Sequence, residues 1–134
     1  MSLTLFGHKI RQLRQSKPEK LADTAKALGV SSAYLSALEN GQKSKPSARL
    51  LHLICQHFNI IWDDADALLK LADLSEPKPK IDLSQASPTF QVFVNLLASQ
   101  SEQIDDETLR RWIDTFELEP QVQKEINAFL SQIG

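Results

Sequence analysis

The segment LADTAKALGVSSAYLSALENG, residues 21–41, constrains the fold more than any other stretch of the sequence. Its apolar residues recur at helical spacing up to Gly29, a residue that tolerates the positive φ common just after a helix end. Ser31 is a good N-cap for a second short helix, which we expect to stop at Gly41. Ala25 lies one turn before Gly29, and its small side chain allows the two helices to cross closely. The segment therefore predicts two short helices joined by a tight turn.

The outer positions of the second short helix are small or polar rather than charged. Ser32, Ala33, Ser36 and Ala37 stand where a solvated helix usually carries Lys and Glu. Such a surface favours close docking of the helix against another molecule. The alternative is an ordinary solvated helix surface whose side chains are small without a functional reason.

Helical spacing of apolar residues continues along the chain, and no segment shows the alternation typical of a β-strand. Ser47, Ser87 and Asp105 are candidate N-caps, and Pro88 and Pro120 suit the first turns of two helices. We predict eight helices, which begin near residues 3, 21, 32, 48, 61, 88, 106 and 120. The predicted fold class is all-α.

The chain divides by composition and charge. Prolines and a scarcity of large apolar residues mark residues 76–88 as a linker between residues 1–75 and an acidic helical region, residues 89–134. Residues 1–60 carry nine Lys and Arg against three acidic residues, whereas the rest of the chain carries six against fourteen. This asymmetry favours a module that faces a polyanion and a second part with another role, although solvated charges also cluster by chance.

Composition argues against several function classes. With 42% hydrophobic and 24% charged residues, the chain has the composition of a globular protein. No stretch resembles a signal peptide or a membrane span, so we expect a cytoplasmic protein without a membrane partner. The three histidines and the single cysteine show no spacing typical of a metal or catalytic site. We therefore expect no metal, no cofactor and no enzyme activity.

Three segments, in this order and spacing, resemble the phage-repressor-like helix-turn-helix family (Cro/cI, or XRE). They are IRQLR in the first helix, residues 21–41, and KPSARLLHLICQHFNI after them. The resemblance covers roughly residues 3–74. It implies a five-helix lambda-repressor-like domain that binds double-stranded DNA, usually as a homodimer on a two-fold-related operator.

The resemblance implies that the second helix of the motif enters the major groove of DNA. The residues placed at base edges are Ser32, Ala33, Tyr34, Ser36 and Ala37. Serine can donate to or accept from either kind of base pair, and alanine can contact a thymine methyl group, but neither makes a bidentate contact. Specificity is therefore expected to depend also on Tyr34, bridging water and DNA shape, unless Tyr34 packs against neighbouring helices instead.

Contacts to the phosphate backbone are expected from the first helix, the entry to the second and the loop after the third. The predicted residues are Lys9, Arg11, Lys17, Lys20, Asn40, Gln42, Lys43, Lys45 and Ser47. Alternatively, some of these residues are ordinary solvated side chains that do not contact DNA.

Two further positions follow from the resemblance. Family members pair an Arg at the end of the first helix with the Glu before Asn-Gly, which implies a structural ion pair between Arg14 and Glu39. The family also often places Gln at the first position of the second helix, where it meets a phosphate. Leu21 occupies that position here, so this contact is not carried over, and Lys20 is the nearest substitute.

The sequence thus predicts a DNA-binding transcriptional regulator, a repressor that binds a pseudo-palindromic operator as a dimer. The alternative is the antitoxin of a toxin–antitoxin pair, whose C-terminal region binds a toxin. A third hypothesis is an adaptor that has kept the fold and lost DNA binding, against which the retained positive charge argues. The acidic region 89–134 is expected to dimerise or to bind a protein partner, unless it only covers a monomer.

Overall fold

The computed structural model describes residues 3–133, and regular structure within this range is entirely α-helical. The helices are α1 (Leu5–Ser16), α2 (Leu21–Leu28), α3 (Ser32–Glu39), α4 (Ala48–His57), α5 (Trp62–Asp73), α6 (Pro88–Ser99), α7 (Asp106–Ile113) and α8 (Pro120–Ile133). The predicted all-α fold class is confirmed. Each helix begins within two residues of its predicted start.

Local capping explains where the helices of the motif begin and end. Gly29 ends α2 in the left-handed region, with φ at 73°. Ser31 caps α3, since its hydroxyl accepts a 3.0 Å hydrogen bond from the backbone N–H of Tyr34. Ser47 caps α4 in the same way. These contacts satisfy backbone donors that the first turn of a helix leaves unpaired, so the turn geometry is set locally.

The first five helices enclose an apolar core. α1 packs against α3 and α5, and α2 packs against α3 and α4. The largest side chains buried between them are Phe6, Ile10, Leu35, Leu51, Ile54, Leu68 and Leu71. Because Leu35 and Leu38 are both buried, they fix which side of α3 faces outward.

The backbones of α1 and α3 come close together at Gly7, whose role the helical pattern did not indicate. A Cβ atom at this position would lie 2.6 Å from the backbone oxygens of both Leu38 and Glu39. Only glycine allows this contact, because backbone atoms cannot move aside as a flexible side chain can. Gly7 therefore sets how deeply the C-terminal end of α3 sits on α1.

A polar cluster joins the entry of α2 to the end of α4. The Glu19 carboxylate lies 2.6 and 2.8 Å from the Nε2 atom of His57, and the buried Thr24 hydroxyl donates to it at 3.3 Å. Burial raises the pKa of Glu19, but hydrogen bonds and the charges of His57 and Lys17 outweigh this effect, so its pKa lies below the ordinary value. The carboxylate is therefore held ionised within the fold.

The chain forms two compact units, and their boundaries differ from the predicted segments. Unit 1 comprises residues up to Lys78 together with those from Glu119 onward, and unit 2 is residues 79–118. The sequence grouped α8 with the acidic region, whereas the structure packs it against α1 and α5. Val122, Ile126 and Phe129 are buried, because one side of α8 completes the core of unit 1.

Unit 2 contains most of the linker together with α6 and α7, and it has little interior. None of the residues in α6 or α7 is buried. The rings of Phe93 and Trp112 meet edge to face, with centroids 5.9 Å apart. Ser87 caps α6, and Pro88 occupies its first turn, as predicted.

We expect Gly7→Ala to destabilise unit 1 by about 1–3 kcal/mol, because the added methyl group would force the α1 and α3 backbones apart. This cost exceeds the roughly 1 kcal/mol by which alanine improves intrinsic helix stability over glycine. The free energy of unfolding from urea denaturation measures the effect. Gln12→Ala, at an exposed position of α1, is the control and should change stability little. Equal or greater stability of Gly7→Ala would contradict the assigned close contact.

Candidate nucleic-acid interface

The outer face of α3 presents the five residues predicted to contact bases. Ser32 and Ala33 are exposed, whereas Tyr34, Ser36 and Ala37 are half-buried. All of them lie on a helix anchored from behind by buried leucines. Because these side chains are mostly short, the α3 backbone can approach another surface closely at this face.

Tyr34 is bulkier than the other members of this face and is only partly accessible. Burial raises the pKa of its phenol. The ring borders a groove of about 640 Å³ between the turn of the motif and the start of α4. Tyr34 thus packs at the edge of the α3 face, and it remains accessible to a ligand that fills the groove.

Two basic residues outside the predicted set border the same groove. Lys26, near the end of α2, and Arg49, in the first turn of α4, both line it and are exposed. Sequence reasoning counted them only in the net charge, because they are 23 positions apart and the fold alone brings them together. They extend the positive surface beside Tyr34 and the N-cap Ser47.

Two predicted phosphate-contacting residues on α1 have protein partners. The Lys9 Nζ atom lies 2.8 Å from the Glu125 carboxylate on α8. Arg11 donates to the Asn40 side chain at 2.6 Å and to Glu39 at 3.4 Å. Asn40, itself a predicted contact, therefore accepts from Arg11. Any phosphate contact by these groups would have to replace or share an existing bond.

Lys17 and Lys45 are also engaged within the protein. The Lys17 Nζ atom donates to the backbone oxygen of His57 at 2.8 Å and lies 5.9 Å from the centroid of the Phe58 ring. Lys45 forms an ion pair with Asp73 on α5. Both side chains are exposed, so such pairs exchange readily with solvent or another anion.

The remaining predicted contacts lie at the two ends of the α2–α3 motif. Lys20, Gln42 and Lys43 are exposed, and their side chains make no hydrogen bond or ion pair with any of residues 3–133. Ser47 is exposed, and its hydroxyl accepts from the Leu50 N–H at 3.1 Å. Lys20 and Lys43 are thus the predicted cations whose charge the protein leaves without a partner in the described range.

Arg14 and Glu39 form a bidentate ion pair between α1 and α3. The Arg14 Nε and a terminal guanidinium nitrogen lie 2.8 and 3.0 Å from the two Glu39 oxygens. Only 3% of the Glu39 side chain is exposed. The hydrogen bond to Glu39 raises the pKa of Arg14, against a smaller lowering by burial. The pair holds the end of α3 against α1, on the side of α3 away from its outer face.

Residues 3–133 contain neither a metal-binding cluster nor a membrane-spanning helix. No group of three or more His, Cys, Asp and Glu side chains is arranged to hold a metal ion. None of the described helices has the length and apolar character needed to cross a membrane.

We expect Arg14→Ala to lower the free energy of unfolding by about 3 kcal/mol, because it leaves a buried carboxylate without its main partner. Arg11 remains near Glu39, which keeps the loss at the lower end of the usual range for a broken buried pair. Urea denaturation of Arg14→Ala and of the double variant Arg14→Ala/Glu39→Gln tests this. Removing the charge of Glu39 should recover part of the lost stability. A double variant that is less stable than Arg14→Ala would contradict the assigned pairing.

Comparison with known proteins finds one family match, within the first five helices. Residues 5–68 match a family model described as a helix-turn-helix domain. The match begins at the start of α1 and extends into α5, so it includes α2, the turn at Gly29 and α3. No curated protein and no solved structure matches the chain. Residues 5–68 are therefore similar to a helix-turn-helix domain, and such a domain suggests a DNA-binding regulator.

Proposed function

We propose that this protein is a sequence-specific, double-stranded DNA-binding transcriptional regulator. It acts in the cytoplasm as a repressor that occupies a pseudo-palindromic operator as a dimer. The observation that carries the proposal is the outward face of α3, where Ser32 and Ala33 are exposed and uncharged within a helix-turn-helix domain.

The size of this face suits entry into the major groove. An α-helix with its side chains is about 10–12 Å across, and the major groove of B-DNA is about 12 Å wide. Long side chains on the leading face would hold the helix away from the bases. Ser32 and Ala33 extend little beyond the backbone, so α3 can approach the base edges.

The same residues discriminate weakly between bases. A serine hydroxyl accepts or donates one hydrogen bond, and alanine offers only a methyl contact, so neither makes the bidentate pairing typical of Arg or Asn. We infer that Tyr34 and the groove beside it supply further discrimination. Lys26 and Arg49 there would meet the phosphate backbone and sense the local shape of the duplex.

The lysines that would contact phosphate differ in whether they must first break an ion pair within the protein. Lys20 and Lys43 have no ion pair with any of residues 3–133, so their contact with phosphate mainly releases counterions from DNA. Lys9 and Lys45 would exchange an existing carboxylate partner for a phosphate, which reduces the net gain. We therefore assign most of the backbone affinity to the two unpaired lysines and to Gln42.

A dimer is proposed because two copies related by a two-fold axis match a pseudo-palindromic site and double the contacts. Each α3 would lie in one half-site, with the two half-sites about one helical turn apart. Occupation of such a site within a promoter blocks access by the transcription machinery.

The test of the proposed function is selection of genomic DNA fragments by the purified full-length protein, followed by binding measurements over a range of salt concentrations. We expect an enriched pseudo-palindromic site and an affinity that falls steeply with salt. Absence of any enriched site, together with a salt slope near zero, would overturn the proposal.

We expect Ala33→Glu to reduce operator affinity at least about 100-fold, because the carboxylate would face the negative potential of the groove without a partner. The fold should be unchanged, since Ala33 is exposed. Ala128→Glu, which adds the same charge at an exposed position of α8, is the matched control. Fluorescence anisotropy with labelled operator measures affinity, and thermal unfolding checks the fold. Normal operator binding by Ala33→Glu would contradict the placement of α3 in the groove.

Replacing Lys43 with Gln should reduce the slope of log K against log salt by about one unit per protomer, because one phosphate contact is lost. Lys45→Gln should change this slope less, since Lys45 is paired with Asp73 in the free protein. Lys124→Gln, at an exposed site on α8, should leave the slope unchanged. If Lys45→Gln instead produced the larger change, the division between paired and unpaired lysines would be wrong.

A further inference from the structure

An uncharged segment of unit 2 stands out within the acidic half of the chain. From residue 83 to residue 101 there is no Asp, Glu, Lys, Arg or His, and the whole of α6 lies within this segment. A surface helix of a globular protein ordinarily carries charged residues on the side that faces water. α6 has no such side.

The apolar residues of α6 cover more than half of its circumference. Phe90, Phe93 and Leu97 share one side, and Phe93 there meets Trp112 of α7. Val92 and Leu96 lie on the adjoining side and are 59% and 52% exposed. A helix in a globular protein ordinarily buries its apolar side against another element, so the exposure of Val92 and Leu96 leaves this side available to a partner.

The side of α6 that carries Val92 and Leu96 has no charged residue. Val92 and Leu96 border a shallow groove together with Gln91, Asn95 and Ser99. These polar residues are uncharged and the serine is small, so another helix can approach closely without desolvating an ion.

Unit 2 has too little interior to be stable by itself. It contains 40 residues, and neither of its helices has a buried residue. Chains below about 40 residues usually need disulfides, metals or oligomerisation to hold a fold. The single cysteine of the chain is in α4, and no metal-binding group lies in the described range. Association with another chain would supply the stability that this small interior lacks.

We propose that the Val92–Leu96 side of α6 packs against α6 of a second copy of this chain, so that the two α6–α7 pairs form a four-helix assembly. This inference rests on the dimer of the proposed function and assigns its interface to unit 2. It places the contact on α6 and leaves α8 within unit 1.

Charge favours a second copy over a different protein. Residues 61–134 carry eight more acidic than basic residues, so two copies repel each other over most of that surface. α6 is the part of this region where self-association brings no like charges together. A basic partner such as a toxin would need carboxylates on the docking side, and α6 offers none.

The test is the oligomeric state of the full-length protein without DNA, measured by sedimentation equilibrium at micromolar concentrations. We expect a dimer for the natural sequence. Val92→Glu/Leu96→Glu should raise the dimer dissociation constant at least about 100-fold, because it brings four carboxylates together at the two-fold contact. Both positions are exposed in the single chain, so unit 1 should keep its thermal unfolding transition.

Ile61→Glu/Leu69→Glu is the matched control, since it places the same charges on the exposed apolar surface of unit 1 near α5. We expect this variant to remain dimeric. A natural sequence that is monomeric up to high concentration would overturn the inference, and so would a dimer that only the control variant disrupts.

DNA binding by the same proteins separates this inference from the proposed function. A monomer that binds an enriched DNA site overturns the α6 interface and leaves the regulator proposal standing. A dimer that α6 substitutions disrupt, but that binds no DNA fragment, supports the interface and overturns the proposed function.

Discussion

The ion pair between Arg14 and Glu39 holds together the part of the structure on which the candidate interface depends. It joins the last turn of α1 to the last turn of α3, at a place where almost no water reaches the Glu39 carboxylate. Gly7 allows the two helix backbones to meet beside it. With the end of α3 fixed in this way, its outward face is fixed as well. Residues behind α3 thus determine which of its side chains face outward.

Local patterns predicted the helices well, because their determinants lie within a few residues of each other. Gly29 and Ser31 end and begin helices by contacts to their own neighbours. The close approach at Gly7 could not be predicted in this way, since it depends on the backbone of residues more than 30 positions away. For the same reason the sequence placed α8 with the acidic region, although its buried side belongs to unit 1.

The candidate interface was predictable in its residue types but not in its electrostatics. The small outer face of α3 follows from the spacing of its apolar residues. The spacing does not show which basic side chains are free to bind a phosphate, because the partner of each paired lysine is distant in sequence. Lys9 pairs with Glu125, and Lys45 pairs with Asp73. Lys26 and Arg49 join the positive surface for a related reason, since only folding brings α2 and α4 to one groove.

The return of α8 to unit 1 makes this helix an intramolecular ligand for the helix-turn-helix domain. The chain leaves unit 1 after Lys78 and rejoins it at Glu119, so the intervening 40 residues are attached to unit 1 at both ends. Because α8 belongs to the same chain, its docking does not depend on the protein concentration. The bond from Glu125 to Lys9 forms with that docking, so release of α8 would also free the Lys9 ammonium group.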